Sequence, residues 1–166
     1  MTNDFTIIFI DIDGTLVDDE KNISEETITV LRKLKENGIY IILTSGKPYK
    51  SIEAFSKQCF ATPYLICSNG AIIKDIEKNI EIFSKELPKE ISNHILNCAN
   101  RHGIFVIATV SGNLVVDKRE YGMAPENRDD IILVDSLQEY INSTTFPILK
   151  FTVINESKRK LESEMG

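Results

Sequence analysis

The chain has 166 residues, 42% hydrophobic and 27% charged, with 25 acidic against 19 basic side chains and a formal net charge of −6. That length fits one ordinary domain, or one small domain plus part of another, and the composition excludes a disordered or fibrous chain. The acidic excess argues for no nucleic-acid partner, because phosphate backbones select basic faces, and leaves small molecules as the expected ligands.

The segment Phe5-Thr6-Ile7-Ile8-Phe9-Ile10 is apolar on both faces and rich in β-branched residues, which predicts a buried strand. It is too short to cross a membrane and runs at once into Asp11, so no membrane anchor or signal peptide is expected and the chain reads as cytoplasmic. Ser24 is placed to cap a helix whose first turn holds Glu25 and Glu26. Ile28, Leu31 and Leu34 repeat at helical spacing until Asn37-Gly38 supplies a stop, and Ile39-Tyr40-Ile41-Ile42-Leu43 returns to the buried-strand pattern. Thr44-Ser45-Gly46-Lys47 follows, with Pro48 suited to open another helix whose inner face holds Ile52 and Phe55. A third strand, Tyr64-Leu65-Ile66-Cys67, runs into Ser68-Asn69-Gly70, and alternation over residues 71–83 suits a hairpin. Beyond it the pattern predicts a helix over 88–102, strands over 104–110 and 114–117, a short helix over 136–141, a strand over 148–154 and a helix over 156–165. The fold class is therefore α/β: a Rossmann-like, doubly wound parallel core over residues 1–83, then a partial α/β domain over 84–166.

Three polar clusters, DIDGT, TSGK and CSNG, each stand immediately after a strand. In open parallel sheets ligands bind beyond the carboxyl ends of the strands, so the clusters should converge in space. Their glycines allow close backbone approach, and the helix opened by Pro48 would aim its positive end at the same place, which favours an anion. Yet Asp11 and Asp13 stand there too, and each would repel a phosphate by ~4 kcal/mol at about 4 Å in an effective dielectric of about 20. A divalent cation resolves that conflict, and oxygen ligands beside a phosphate suit Mg2+.

A strand ending in Asp-x-Asp-Gly-Thr, followed by one ending in Ser-Gly-Lys, resembles the haloacid dehalogenase (HAD) superfamily. The Asn69-Gly70-Ala71 step narrows the likeness to the Cof-type sugar-phosphate phosphatases, whose α/β cap follows this part of the core. The resemblance implies a magnesium-dependent phosphatase of small phosphorylated metabolites. In it Asp11 is the nucleophile that forms an aspartyl phosphate, and Asp13 is the acid and base. It further implies that Ser45 and Gly46 meet the phosphoryl group, that Lys47 and Asn69 lie near the substrate, and that Mg2+ takes a carboxylate oxygen of Asp11 and the backbone carbonyl of Asp13. Residues 84–166 would then be a partial cap.

The family's later motifs, a lysine on a third core loop and a Gly-Asp acid loop, have no counterpart here, and no Gly-Asp dipeptide occurs in the chain. The expectation is a fragment, or a product lacking the C-terminal part of the core. Its alternative function is a truncated, inactive phosphate-binding or assembly module that forms a homo-oligomer through the surface so exposed. The competing reading of Asp11 and Asp13 as a calcium loop fails because a strand precedes them and the later glutamate is missing. Asn69-Gly70 doubles as a hairpin signal. Cys59, Cys67 and Cys98, odd in number and without paired spacing, suit free thiols. His94, Cys98 and His102 share a helix at spacing four, but Ile91, Ile95 and Ala99 on that helix place Cys98 in the core rather than in a zinc site.

Overall fold

The computed structural model describes residues 6–119 and 130–154. The chain divides into two compact units, Met1–Lys85 and Glu86–Gly166.

The first unit is built on a five-stranded sheet, β1 (Ile7–Asp11), β2 (Tyr40–Thr44), β3 (Tyr64–Cys67), β4 (Ile72–Asp75) and β5 (Ile80–Ser84), in that spatial order. The first three strands are parallel, while β4 and β5 return antiparallel. Strand order thus follows chain order, and among the described strands the sheet lacks the reversal of a doubly wound layout. The crossover from β1 to β2 carries α1 (Glu25–Glu36), whose start is fixed as expected: the Ser24 hydroxyl accepts the Thr27 N–H at 3.1 Å. Leu31 is the residue that this helix buries.

Two expectations are corrected here. The run before Asp11 is an edge strand rather than a buried one: Ile7 and Phe9 are 46% and 59% exposed, and Tyr40, paired with Ile7, is 60% exposed. Ile41 and Leu43, on the other face of β2, are fully buried. A continuous apolar run cannot report which of its faces is covered. Pro48 opens only a 3-10 turn, Tyr49–Ser51, followed by the short α2 (Glu53–Gln58), so no long helix aims its positive end from Pro48.

In the second unit a four-stranded sheet runs β8-β7-β6-β9, with β6 (Phe105–Val110), β7 (Asn113–Asp117), β8 (Ile131–Val134) and β9 (Ile148–Ile154). Every residue of β6 is buried, because Val106, Ala108 and Val110 pack in one core while Phe105 and Ile107 pack in another on the opposite face. The first of these cores also holds Leu96 and Ala99 of α3 (Lys89–His102) and Leu137 and Ile141 of α4 (Leu137–Ser143). Ser136 caps α4 by accepting the Glu139 N–H at 3.2 Å. The strand β8 escaped the sequence pattern, and the helix expected over 156–165 lies outside the described residues.

Cys98 is exposed, contrary to expectation, since the buried stripe of α3 runs through Ser92, Leu96 and Ala99. Its Sγ lies 3.9 Å from the His102 ring, whose Nδ1 sits 2.9 Å from the Cys98 carbonyl. Cys59 and Cys67 are fully buried, and burial pushes their thiols up to about 11 and about 12. Because the thiolate is the reacting species, alkylation of the native chain at pH 8 with iodoacetamide should modify Cys98 and spare the other two. Mass spectrometry with and without denaturant checks this, and rapid native labelling of Cys67 would contradict the packing of β3.

Candidate active site

The three polar clusters lie at level strand ends. Asp11 pairs with Thr44 and Thr44 with Ile66, and the Ser45 N–H donates to the Ile66 carbonyl at 2.9 Å. The loops after β2 and β3 are laced together: the Ser68 N–H donates to the Lys47 carbonyl at 3.0 Å and the Asn69 N–H to the Ser45 carbonyl at 3.3 Å.

What aims the first cluster is apolar anchoring. Ile12, Leu16 and Val17 are buried, and the Ile12 carbonyl accepts from the N–H groups of Leu16 and Val17 at 3.0 and 3.1 Å. With Gly14 turning the chain at φ +74°, Asp11 and Asp13 on either side of Ile12 are left at the surface. No hydrogen bond or ion pair reaches the Asp11 carboxylate among the described residues.

Asp13 differs sharply. Its Oδ1 accepts from Lys47 Nζ at 2.6 Å and from Lys21 Nζ at 2.8 Å. Partial burial alone would push this carboxyl up, but the two ammonium groups more than offset that and hold it below the usual range. Lys21 was not among the residues singled out from the sequence. It sits in a turn where the Asp18 N–H donates to the Asn22 carbonyl, the Lys21 N–H to the Asp18 carbonyl and the Asn22 N–H to Asp18 Oδ1. The turn gives Lys21 a left-handed φ of 65°. The only advance signal was the Asp-Asp-Glu-Lys-Asn composition, which reads as a turn and says nothing of where a long side chain lands.

Ser45 is 5% exposed, and its Oγ accepts the Lys47 N–H at 3.1 Å, which leaves its own O–H as a donor. Gly46 lies close to the neighbouring hairpin: a Cβ there would stand 2.6 Å from Asn69 Oδ1, the far end of a side chain that would have to turn aside. Asn69 bears out the hairpin reading of its motif. It turns the chain from β3 to β4 with a left-handed φ of 59°, and its side chain lies against the TSGK loop. Ser68 beside it is also left-handed, and its buried hydroxyl has no partner among the described residues.

As for a metal, no group of three or more His, Cys, Asp or Glu side chains gathers among the described residues. The two carboxylates nevertheless fit Mg2+, which takes one or two protein oxygens and fills its other positions with phosphate and water. Asp11 offers carboxylate oxygens with no partner among the described residues, whereas Asp13 Oδ1 already accepts from two ammonium groups; the resemblance implies that Asp13 would contribute through its backbone carbonyl.

Against these coordinates the comparisons are consistent. A family model described as haloacid dehalogenase-like hydrolase matches residues 8–165. The chain is similar to the 5-amino-6-(5-phospho-D-ribitylamino)uracil phosphatase YitU of Bacillus subtilis, 37% identical over 67 residues, covering 40% of this chain and 25% of that protein. It is similar to YcsE of the same organism, which bears the same description, 28% identical over 127 residues, covering 76% of this chain and 49% of that one. The chain thus spans between a quarter and about half the length of these relatives. A solved haloacid dehalogenase-like hydrolase of Bacillus subtilis shares the fold with a TM-score of 0.76 at 19% identity, covering 96% of this chain and 65% of that one.

Two outcomes test this geometry. Gly46→Ala should destabilise the chain by at most about 1 kcal/mol, because the Asn69 side chain can turn aside, and the cost should shrink in an Asn69→Gly background, as read by urea unfolding in a double-mutant cycle. Equal costs in both backgrounds would refute the contact. For Asp13, a folded pKa below the unfolded one means its ion pairs stabilise the chain above the unfolded value, and that share is lost as pH falls through the folded value. Its carboxylate is 37% exposed, so solvent and salt screening keep the share small. Carboxyl-detected NMR should place the Asp13 midpoint below ~3.9, and Lys47→Met should raise it.

Proposed function

The chain belongs to the haloacid dehalogenase-like hydrolases, and on that premise we propose that it carries the nucleophile of a magnesium-dependent phosphatase acting on small phosphorylated metabolites. The observation that carries the proposal is the pair of unlike carboxylates at the level strand ends: Asp11 exposed and unpartnered among the described residues, Asp13 held by two ammonium groups.

In this reading Asp11 attacks phosphorus in line. An Asp11 oxygen–phosphorus bond forms as the bond to the leaving oxygen breaks, giving an aspartyl phosphate. As the ammonium groups on Asp13 turn to the phosphoryl oxygens its carboxyl can take up a proton; it delivers that proton to the leaving oxygen, then takes one from the water whose attack breaks the bond between the Asp11 oxygen and phosphorus and releases phosphate. The Ser45 O–H donates to a phosphoryl oxygen, the Gly46 loop frames it, and Lys47 and Asn69 line the approach of the substrate. The Asp11 carboxylate and the Asp13 carbonyl would hold Mg2+, which would supply charge neutralisation between carboxylate and phosphoryl group. Residues 1–83, the N-terminal portion of the core, supply the nucleophile and the phosphoryl-binding loop, and residues 84–166 form part of the cap that selects the substrate. The names of the two Bacillus relatives support a substrate with a phosphorylated sugar-like part. A cytoplasmic setting agrees with two buried free thiols, and no described helix is long and apolar enough to cross a membrane.

One observation favours a second reading, a phosphate-binding or assembly module that pairs with another copy: Ile7, Phe9 and Tyr40 stand exposed on one face of the edge strand and its neighbour. Turnover of p-nitrophenyl phosphate separates the two. The chain should hydrolyse it with magnesium and stop with a chelator, and Asp11→Asn should lower the rate by about three orders of magnitude or more. Undiminished turnover by Asp11→Asn would rule out this nucleophile, and inactivity of both chains would favour the module.

A further inference from the structure

We propose that Lys21 is a second phosphoryl-binding cation of this site, a reading that rests on the phosphatase proposal. In the free protein its ammonium is held on Asp13 Oδ1 beside that of Lys47, and it passes to an oxygen of the incoming phosphoryl group.

The first argument is charge. One carboxylate carries one negative charge, and two ammonium groups within 2.8 Å of a single oxygen leave that trio with one positive charge in excess. Lys47 alone would neutralise Asp13. Two like charges crowded on one oxygen repel each other, while a phosphoryl group offers several oxygens and can take both. An anion entering beside Asp13 therefore relieves a conflict that exists before it arrives.

The second argument is freedom to move. The Lys21 side chain is 52% exposed against 34% for Lys47, so its ammonium can swing on a four-carbon stem without unpacking anything. Its contact with Asp13 is a surface ion pair of a kind that competing anions displace readily.

The third argument is construction. Lys21 adopts a left-handed backbone that side chains other than Asn and Asp seldom adopt, and three hydrogen bonds within the Asp18 to Asn22 turn hold it there. The hydrogen bond and charge of Asp13 do most to favour the charged form of Lys21, with Asp19 and Asp18 of the turn adding to it, while Asp18 Oδ1 is occupied by the Asn22 N–H. The turn delivers Lys21 to the same carboxylate that Lys47 reaches from the second cluster.

The test is calorimetric titration with inorganic phosphate in magnesium, using the whole chain, Lys21→Met and Lys21→Arg. Lys21→Met should weaken phosphate binding about tenfold, the loss of one charged hydrogen bond, and Lys21→Arg should restore most of it. Circular dichroism of each variant confirms folding, and the 15N resonance of the Lys21 ammonium in the unsubstituted chain should shift in step with phosphate saturation. A residue that merely shapes the turn would give no such shift. Phosphate binding that is equal in the chain and in Lys21→Met, with the Lys21 resonance unmoved, would overturn the role of Lys21 and leave the phosphatase reading standing. Absence of phosphate binding by the unsubstituted chain would overturn both.

Discussion

The candidate site is organised around one oxygen atom. Asp13 Oδ1 receives an ammonium group from the turn before α1 and another from the loop after β2, so two segments that share no hydrogen-bonded strand meet at the end of β1. Ion pairs this exposed contribute little to stability, so their consequence is geometric. They fix where two flexible cations rest, and they set Asp13 apart from Asp11, which has the same chemistry two residues earlier and no partner among the described residues. Burial of Ile12 between them makes the distinction possible, because it pins the backbone while leaving both carboxylates outside.

The second shaping constraint is the close approach of the loops after β2 and β3. Two backbone hydrogen bonds and the fit of Asn69 against Gly46 hold these loops together, and the left-handed residues Ser68 and Asn69 make the approach sterically feasible. Asn and Gly tolerate such backbone well, but Ser does not, and its hydroxyl is buried without a partner among the described residues. Ser45 adds to this: its Oγ accepts the Lys47 N–H, which orients the hydroxyl and leaves its O–H to donate.

Much of this was legible in the chain because the signals are local. The Ser24 cap, the Ile28, Leu31 and Leu34 period, and strands that end where polar clusters begin depend on neighbours a few residues away. The features that were not legible depend on what lies across space. The apolar stretch from Ile7 to Ile10 reads as buried on both sides, yet exposure of Ile7 and Phe9 is decided by what covers the sheet. Cys98 has apolar residues near it in sequence, yet it stands one position off the stripe that faces β6, with Ala99 taking the buried place. Lys21 is separated from Asp13 by eight residues and joined to it only through the left-handed backbone of one turn. The four residues of β8 carry no period long enough to declare themselves and acquire strand character by pairing with β7.

Charge balance links the metal and the lysines into one requirement. Asp11 and Asp13 together carry two negative charges and Lys21 and Lys47 two positive ones, so these four side chains balance, although both ammonium groups gather on Asp13 and leave a local positive excess there. A phosphoryl dianion would then add two negative charges beside an unpartnered carboxylate, which is where the attacking oxygen has to approach. The lysines cannot neutralise that addition unaided, because their charge already answers the two aspartates. A divalent cation restores the balance and Lys21 can redistribute it. Neither replaces the other: the cation sets the total charge, while a movable ammonium decides which oxygen feels it.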